Sequence, residues 1–240
     1  MAVTRQDYSN LAESYDDTRF GGEKGHFLYK LDGTILKNLI DTAHAKTSLQ
    51  TFTVLDIPVG TGRTLNYMEE IPDKIVGCDL TPNMLQLAKK RITPGCVGLV
   101  QGDASTLPFS DGVFDCLVTL RFFHLFQQRP RKLFVEEFNR ILKPGGFIIC
   151  SFTNGWYGFG LNYFRKVSGR FSVHFQSSGE INRLFPQWKV HALFGNYLPY
   201  QSSIKQFAPR LEALICQLTK SVPLNRFCFE RFYLLQKPSE

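Results

Sequence analysis

Short, β-branched apolar runs recur along this chain, each ending at a turn and followed by a helical stretch, and this alternation restricts the fold more than any other feature. The run FTVLDI at 52–57 ends at a glycine-containing turn, as buried parallel strands do. KIVGCDL (Lys74–Leu80) is followed by Thr81 and Pro82, which supply an N-cap and a first-turn proline for a helix through Arg91. Further strands are predicted at Val97–Gln101, Val113–Leu120 and Phe147–Phe152. Helices are predicted over 25–45, where apolar residues recur at spacings of three and four, over Arg63–Glu70, and over Pro130–Leu142, where the KPGG segment closes the helix. Alternating β and α elements with short loops specify an α/β fold, a doubly wound, mostly parallel sheet with helices on both faces. Strand order cannot be read from spacing.

After residue 153 the alternation breaks. Residues 153–177 carry two glycine-punctuated aromatic clusters without a clear period, which reads as an insertion or lid. A helix near Ser178–Leu184 and strands at Lys189–Phe194 and Phe227–Leu235 then return. At 240 residues the chain is taken as a single domain of four parts: a helical cap (1–50), a core (51–152), the aromatic insertion (153–177) and the remainder of the sheet (178–240).

Composition excludes more than it identifies. With 43% hydrophobic and 20% charged residues the chain is of ordinary globular type. The N-terminal stretch has no apolar run of signal-peptide length and no later run suits a membrane helix, so the expected location is cytoplasmic, with peripheral membrane contact left open. The six cysteines stand singly, which predicts reduced, buried thiols and no metal site. Lys+Arg and Asp+Glu balance at 17 each before residue 151, whereas 11 face 4 after it, so the whole net charge of +7 lies in an aromatic-rich last third. Such a face could meet nucleic acid, an anionic surface or an acidic substrate, or be a solvated surface; no stable nucleic-acid partner is expected.

In open α/β sheets ligands bind beyond the carboxyl ends of the strands. The first such loop reads Asp56-Ile-Pro-Val-Gly60-Thr-Gly62, where glycine lets backbone approach a ligand and free N–H groups favour an anion. The second strand ends at Asp79, 23 residues after Asp56, a distance that suits a carboxylate accepting from two ribose hydroxyls. The third offers Asp103 and Ala104, suited to an adenine amine and ring nitrogen. Helix caps and turn formers are the competing reading of these aspartates. A pyrophosphate fingerprint wants a third glycine where Leu65 stands, and no Gly-Lys-Ser/Thr phosphate loop occurs, so an adenosine with a carboxylate and an amine fits better than a dinucleotide.

The segments VLDIPVGTG, GCDLTPNMLQLAK, VQGDASTLPF, FDCLVTLRFFHLF and EEFNRILKPGG occur in the order and spacing of class I S-adenosylmethionine-dependent methyltransferases, and most resemble the type 11 family that includes quinone-biosynthesis enzymes. The resemblance covers about residues 8–152. It implies a Rossmann-like, seven-stranded sheet whose last strand is antiparallel, and S-adenosylmethionine as cofactor. It further implies that Asp56, Gly60 and Gly62 surround the methionine moiety, that Asp79 meets the ribose, that Asp103 and Ala104 meet the adenine with Met84 and Leu107 flanking its ring, and that Leu80 also belongs to the cofactor site. Pro58 departs from the family pattern by replacing the first glycine, removing one N–H and stiffening the loop.

Methyl transfer from a sulfonium depends chiefly on positioning, and a general base serves some acceptors. His124, in the loop after the fourth strand, is the candidate base, with a packed or capping role as the alternative. Tyr15, Arg19, Arg121, Trp156 and Tyr157 are candidate acceptor-pocket residues, with Phe159 and Tyr163 beside them. The expected function is methylation of a small molecule, aromatic, quinone-like or lipidic. RNA or protein methylation through the basic last third is the second reading, and a non-catalytic cofactor-binding partner the third.

Overall fold

Along each central strand, side chains point alternately to two separate apolar layers. Val54, Cys116, Val118, Phe147, Ile149, Phe232 and Leu234 enter one layer, while Leu55, Leu117, Ile148, Cys150, Tyr233 and Leu235 enter the other. A sheet buried on both faces demands continuous apolar runs of this kind. A computed structural model of the chain describes residues 16, 21–47, 51–68, 72–93, 95, 97–155, 178–196 and 228–239.

The strands are β1 (Thr53–Asp56), β2 (Lys74–Asp79), β3 (Val97–Gln101), β4 (Phe114–Thr119), β5 (Leu142–Thr153), β6 (Lys189–Asn196) and β7 (Glu230–Gln236). They form one seven-stranded sheet in the order β3-β2-β1-β4-β5-β7-β6. Pairing is parallel from β3 through β5, and β7 runs antiparallel to both β5 and β6. This is the doubly wound, Rossmann-like sheet with an antiparallel last strand that the sequence predicts. Chain order reverses between β1 and β4, so the crevice for a ligand opens beyond their carboxyl ends.

Helices lie on both faces. The helix α1 (Gly22–Ala45) buries Ile35, Leu36, Leu39, Ile40 and Ala43 in one layer, and α2 (Pro82–Lys89) adds Ala88 to it. On the other face α3 (Gln128–Ile141) buries Phe134, Val135, Phe138 and Ile141, and α4 (Ser178–Leu184) buries Ile181 and Leu184. Gly33 stands inside α1, where glycine costs about 1 kcal/mol relative to alanine. A Cβ there would lie 2.1 Å from the Tyr67 ring, so the glycine makes room for that ring.

The predicted helix over Arg63–Glu70 is instead a 3-10 turn at Leu65–Tyr67 among the described residues, with Leu65 receiving the Met68 N–H at 2.8 Å. Thr64, at the head of this turn, donates its hydroxyl to Asp56 and so faces the end of β1. The KPGG segment is the second difference: it does not stand between helix and strand but belongs to β5. Leu142 pairs with Phe114 and Phe147 with Cys116, so five residues advance on one strand while two advance on the other, and Gly145 at φ +74° takes up the bulge. Cys78, Cys116 and Cys150 are free, buried thiols, and Cys228 is buried; Cys96 and Cys216 lie outside the described residues. No helix among the described residues is long and apolar enough to cross a membrane.

Candidate functional site

A cavity of about 450 Å³ opens beyond the carboxyl ends of β1, β2, β3 and β4, within the range of small-molecule sites. Its floor at β1 is the loop after Asp56. Ile57 donates its N–H to the Val118 carbonyl at 2.9 Å, and Val59 donates to Cys78 at 2.8 Å, so the loop is sewn to β4 on one side and β2 on the other. Pro58, following a cis peptide bond, lies between these two donors, and the N–H it lacks is missing from neither.

Asp79 ends β2 and is 6% exposed. Its Oδ2 accepts the Gly60 N–H and its Oδ1 the Thr81 N–H, each at 2.9 Å. The carboxylate therefore fixes the loop while lining the cavity. Asp56, 1% exposed, accepts a hydrogen bond from the Thr64 hydroxyl. Burial pushes its pKa up to about 7, against the Thr64 bond and with the Asp79 charge adding to the rise. Asp79 is likewise raised by burial, against its bonds from Thr81 and Gly60. Two buried carboxylates in one apolar cavity thus have the electrostatic environment of a site whose ligand brings positive charge and hydroxyl donors.

At β3, Asp103 is exposed and lines the cavity beside the buried Ala104. Its Oδ1 also accepts from the Ser105 N–H at 2.8 Å and the Ser105 hydroxyl at 2.7 Å, so it is turn former and cavity wall together. Leu80 and Met84 complete this end. Gly62 and Leu107, both predicted at the cofactor, are outside the cavity wall. Gly62 has φ +79° and abuts the Ala88 backbone at 3.0 Å from where a Cβ would stand, so it packs the loop on α2. Leu107 is buried in the core, and its N–H donates to Glu137 at 2.6 Å.

The other end of the cavity is built from α1 and from the loops after β1 and β4. Tyr29 and Tyr67 meet edge to face with centroids 5.0 Å apart, the Arg63 guanidinium lies 4.5 Å over the Tyr29 ring, and Asp32 and Arg121 flank them. Phe122, Leu125, Phe126 and Phe134 line the cavity as well and form its apolar wall. Of the candidate acceptor-pocket residues, Arg121 lines the cavity. His124 is not in its wall: it belongs to the 3-10 turn Phe123–Leu125 and is half-buried. Arg131, 2% exposed, holds that turn by donating Nε–H to the Phe123 carbonyl at 2.9 Å while pairing with Glu180. Tyr15, Arg19, Trp156, Tyr157, Phe159 and Tyr163 lie outside the described residues, as does most of the basic last third.

Sequence reasoning missed three contributors. Asp16, next to the predicted Tyr15, accepts from the Thr61 hydroxyl at 3.1 Å and pairs at 2.5 Å with Arg91, just beyond α2. Asp32 and Tyr67 read as ordinary positions of amphipathic helices, and only the crossing of α1 over the sheet brings them to the cavity. The Tyr-Asp in SYDDTRF was the one available signal for Asp16.

Residues 55–150 match a family described as a methyltransferase domain. Relatives include a demethylmenaquinone methyltransferase of Corynebacterium kroppenstedtii, 31% identical over 132 residues that cover 52% of this chain and 55% of that protein. A phthiotriol/phenolphthiotriol dimycocerosates methyltransferase of Mycobacterium leprae is 30% identical over 113 residues, covering 46% and 41%. The chain spans about half the length of the curated relatives it matches. Among solved structures, magnesium protoporphyrin IX methyltransferase from Synechocystis with bound S-adenosylhomocysteine covers 97% of each chain at a TM-score of 0.70 and 12% identity, a likeness of fold. The class I methyltransferase resemblance carried by the five motifs is therefore borne out for the segment that holds Asp56, Asp79 and Asp103.

Proposed function

We propose that this chain, whose residues 55–150 match a methyltransferase domain, binds S-adenosylmethionine in the cavity and transfers its methyl group to a small, largely apolar acceptor. The observation that carries the reading is the convergence of Asp56, Asp79 and Asp103 from three adjacent strand ends on one cavity, with the first two buried and their pKa values raised. A ligand that brings an ammonium group, a sulfonium and two ribose hydroxyls matches this set better than a pyrophosphate, which would add negative charge.

In this reading Asp79 accepts from the ribose hydroxyls while holding Gly60, and Asp56 faces the cationic end of the methionine moiety. Asp103 and Ala104 receive the adenine between Leu80 and Met84. When bound, the cofactor supplies an electrophilic methyl carbon on a positively charged sulfur. The protein's share is positioning and exclusion of water, and the wall of Phe122, Leu125, Phe126 and Phe134 provides an apolar surface against which a flat acceptor packs. This reading assigns no step to His124, which is not among the residues lining the cavity. A cytoplasmic setting with a free small molecule as acceptor completes the reading, supported by the buried free thiols.

The test is incubation of purified protein with methyl-labelled S-adenosylmethionine and fractionated small-molecule extract. Label is expected in an apolar low-molecular-mass product. Label only in RNA or protein would replace the proposed acceptor class, and no transfer to any fraction would overturn the enzymatic reading.

A further inference from the structure

At the cavity wall, where α1 meets the loop after β4, one guanidinium holds two carboxylates. Arg121 pairs through its terminal nitrogen with Asp32 and through Nε with Glu230 at 3.1 Å, and the second Asp32 oxygen accepts from the Asn196 amide. Glu230 is 3% exposed and stands behind, outside the cavity wall, whereas Asp32 keeps 13% of its side chain exposed and lines the wall. Of the pair, only Asp32 can touch a bound molecule.

The backbone carries an independent mark. Arg121 has φ +54°, the left-handed region that non-glycine residues avoid, and its N–H is held there by the Ser151 hydroxyl at 2.8 Å. Strain of this kind persists where surrounding structure imposes it, and here it aims the guanidinium between Asp32 and Glu230. Each Asp32 oxygen has lone pairs beyond its single donor.

Resting on the cofactor reading above, we propose that Asp32 is the proton acceptor of the reaction and that the methyl acceptor is a hydroxyl compound, a phenol, enol or alcohol, bound between Tyr29, Tyr67 and Arg121. The O–H bond breaks with its proton passing to the Asp32 carboxylate. The electron pair left on oxygen forms the bond to the methyl carbon of the sulfonium donor, whose carbon–sulfur pair stays on sulfur. Charge is conserved: a carboxylate and a sulfonium become a carboxylic acid and a thioether. Arg63, whose guanidinium lies over the Tyr29 ring in the same wall, favours the negative charge that develops on oxygen.

The charges around Asp32 set its basicity. Burial and the Glu230 charge push its pKa up, while Arg121, by charge and hydrogen bond, and Arg63 pull it down, with a resulting value of about 7. Tyr29 and Tyr67 face it from α1 and the turn after β1, and the Tyr67 phenol is itself raised to about 12, so it stays neutral. A base with a pKa near the working pH is the effective kind.

The test uses 2-naphthol as a neutral hydroxyl probe and its methyl ether as a control, with S-adenosylhomocysteine present and fluorescence reporting binding. An ionised Asp32 accepts the naphthol hydrogen bond, so affinity should rise about tenfold or more as pH passes through about 7. The methyl ether, which cannot donate, should show no such rise. Asp32→Asn should flatten the naphthol curve and Glu230→Gln should shift its midpoint to lower pH, because the charge that raises Asp32 is gone. Carboxyl NMR titration of labelled aspartate should lose one resonance titrating near 7 in Asp32→Asn. Absence of naphthol binding, a flat wild-type curve or an unshifted Glu230→Gln midpoint would each overturn the proposal. S-adenosylhomocysteine should bind wild type and Asp32→Asn equally, whereas failure to bind the wild type would overturn the cofactor reading instead.

Discussion

Gly60 donates its backbone N–H to Oδ2 of Asp79 at 2.9 Å, so the residue expected at the ribose also holds the loop expected at the methionine moiety. One carboxylate couples two halves of the site. Asp79→Ala should therefore lower S-adenosylhomocysteine affinity by about 100-fold or more, since charge-assisted bonds to two hydroxyls are lost and the loop is loosened. Isothermal calorimetry reads the change, and a loss below fivefold would contradict the dual role.

Two glycines separate packing from ligand contact. Gly62→Ala meets both φ +79° and the Ala88 backbone at 3.0 Å, so neither strain nor overlap can relax cheaply, and a loss of about 2–4 kcal/mol in urea unfolding is expected. Gly33→Ala meets only the Tyr67 ring, which can swing. Alanine's helix preference, about 1 kcal/mol, offsets part of the overpacking, so the net loss should be about 1 kcal/mol.

The pH dependence of stability carries a sign. Asp56 in the folded chain has a pKa of about 7 against an ordinary 3.8, so between those values the folded state binds a proton that the unfolded state does not. Its contribution to stability falls as pH rises through that window, by about 1.4 kcal/mol per pH unit at most, and is lowest above 7. Cofactor-free wild type should lose more stability than Asp56→Asn between pH 5 and about 7.5 in parallel urea titrations. Identical pH profiles for the two proteins would refute this account of Asp56.

Asp16 pairs with Arg91 where both side chains are partly exposed, 25% and 37%, so Asp16→Asn should change global stability by less than about 1 kcal/mol. Thr61, which Asp16 bonds, lines the cavity, so dissociation of S-adenosylhomocysteine should be several-fold faster in stopped-flow chase. An unchanged rate would leave the Asp16 contact without a role at the site.

The half of the cavity proposed for adenosine was legible in the sequence because its three aspartates stand at or just beyond strand ends, whose positions follow from the β–α alternation alone. Asp56, Asp79 and Asp103 each stand where an apolar run stops. The other half depends on how α1 crosses the sheet and on β7 returning between β5 and β6, which put Asp32 and Glu230 beside Arg121 across long stretches of chain. No local pattern encodes that meeting. His124, suggested as a base by residue type and loop placement, stands in the 3-10 turn that Arg131 bonds and is not among the residues lining the cavity. The helix read over 63–70 misled for a local reason, since eight residues of helical pattern cannot reveal that Thr64 is engaged by Asp56.

The central claim is that three strand-end aspartates form a site for S-adenosylmethionine, and calorimetric titration of the purified chain with S-adenosylmethionine and S-adenosylhomocysteine tests it most directly. The account predicts one binding site for each ligand, micromolar affinity, and no comparable binding of NADH or ATP. A folded protein that gives no saturable heat with either ligand, or that binds NADH as tightly, would contradict it.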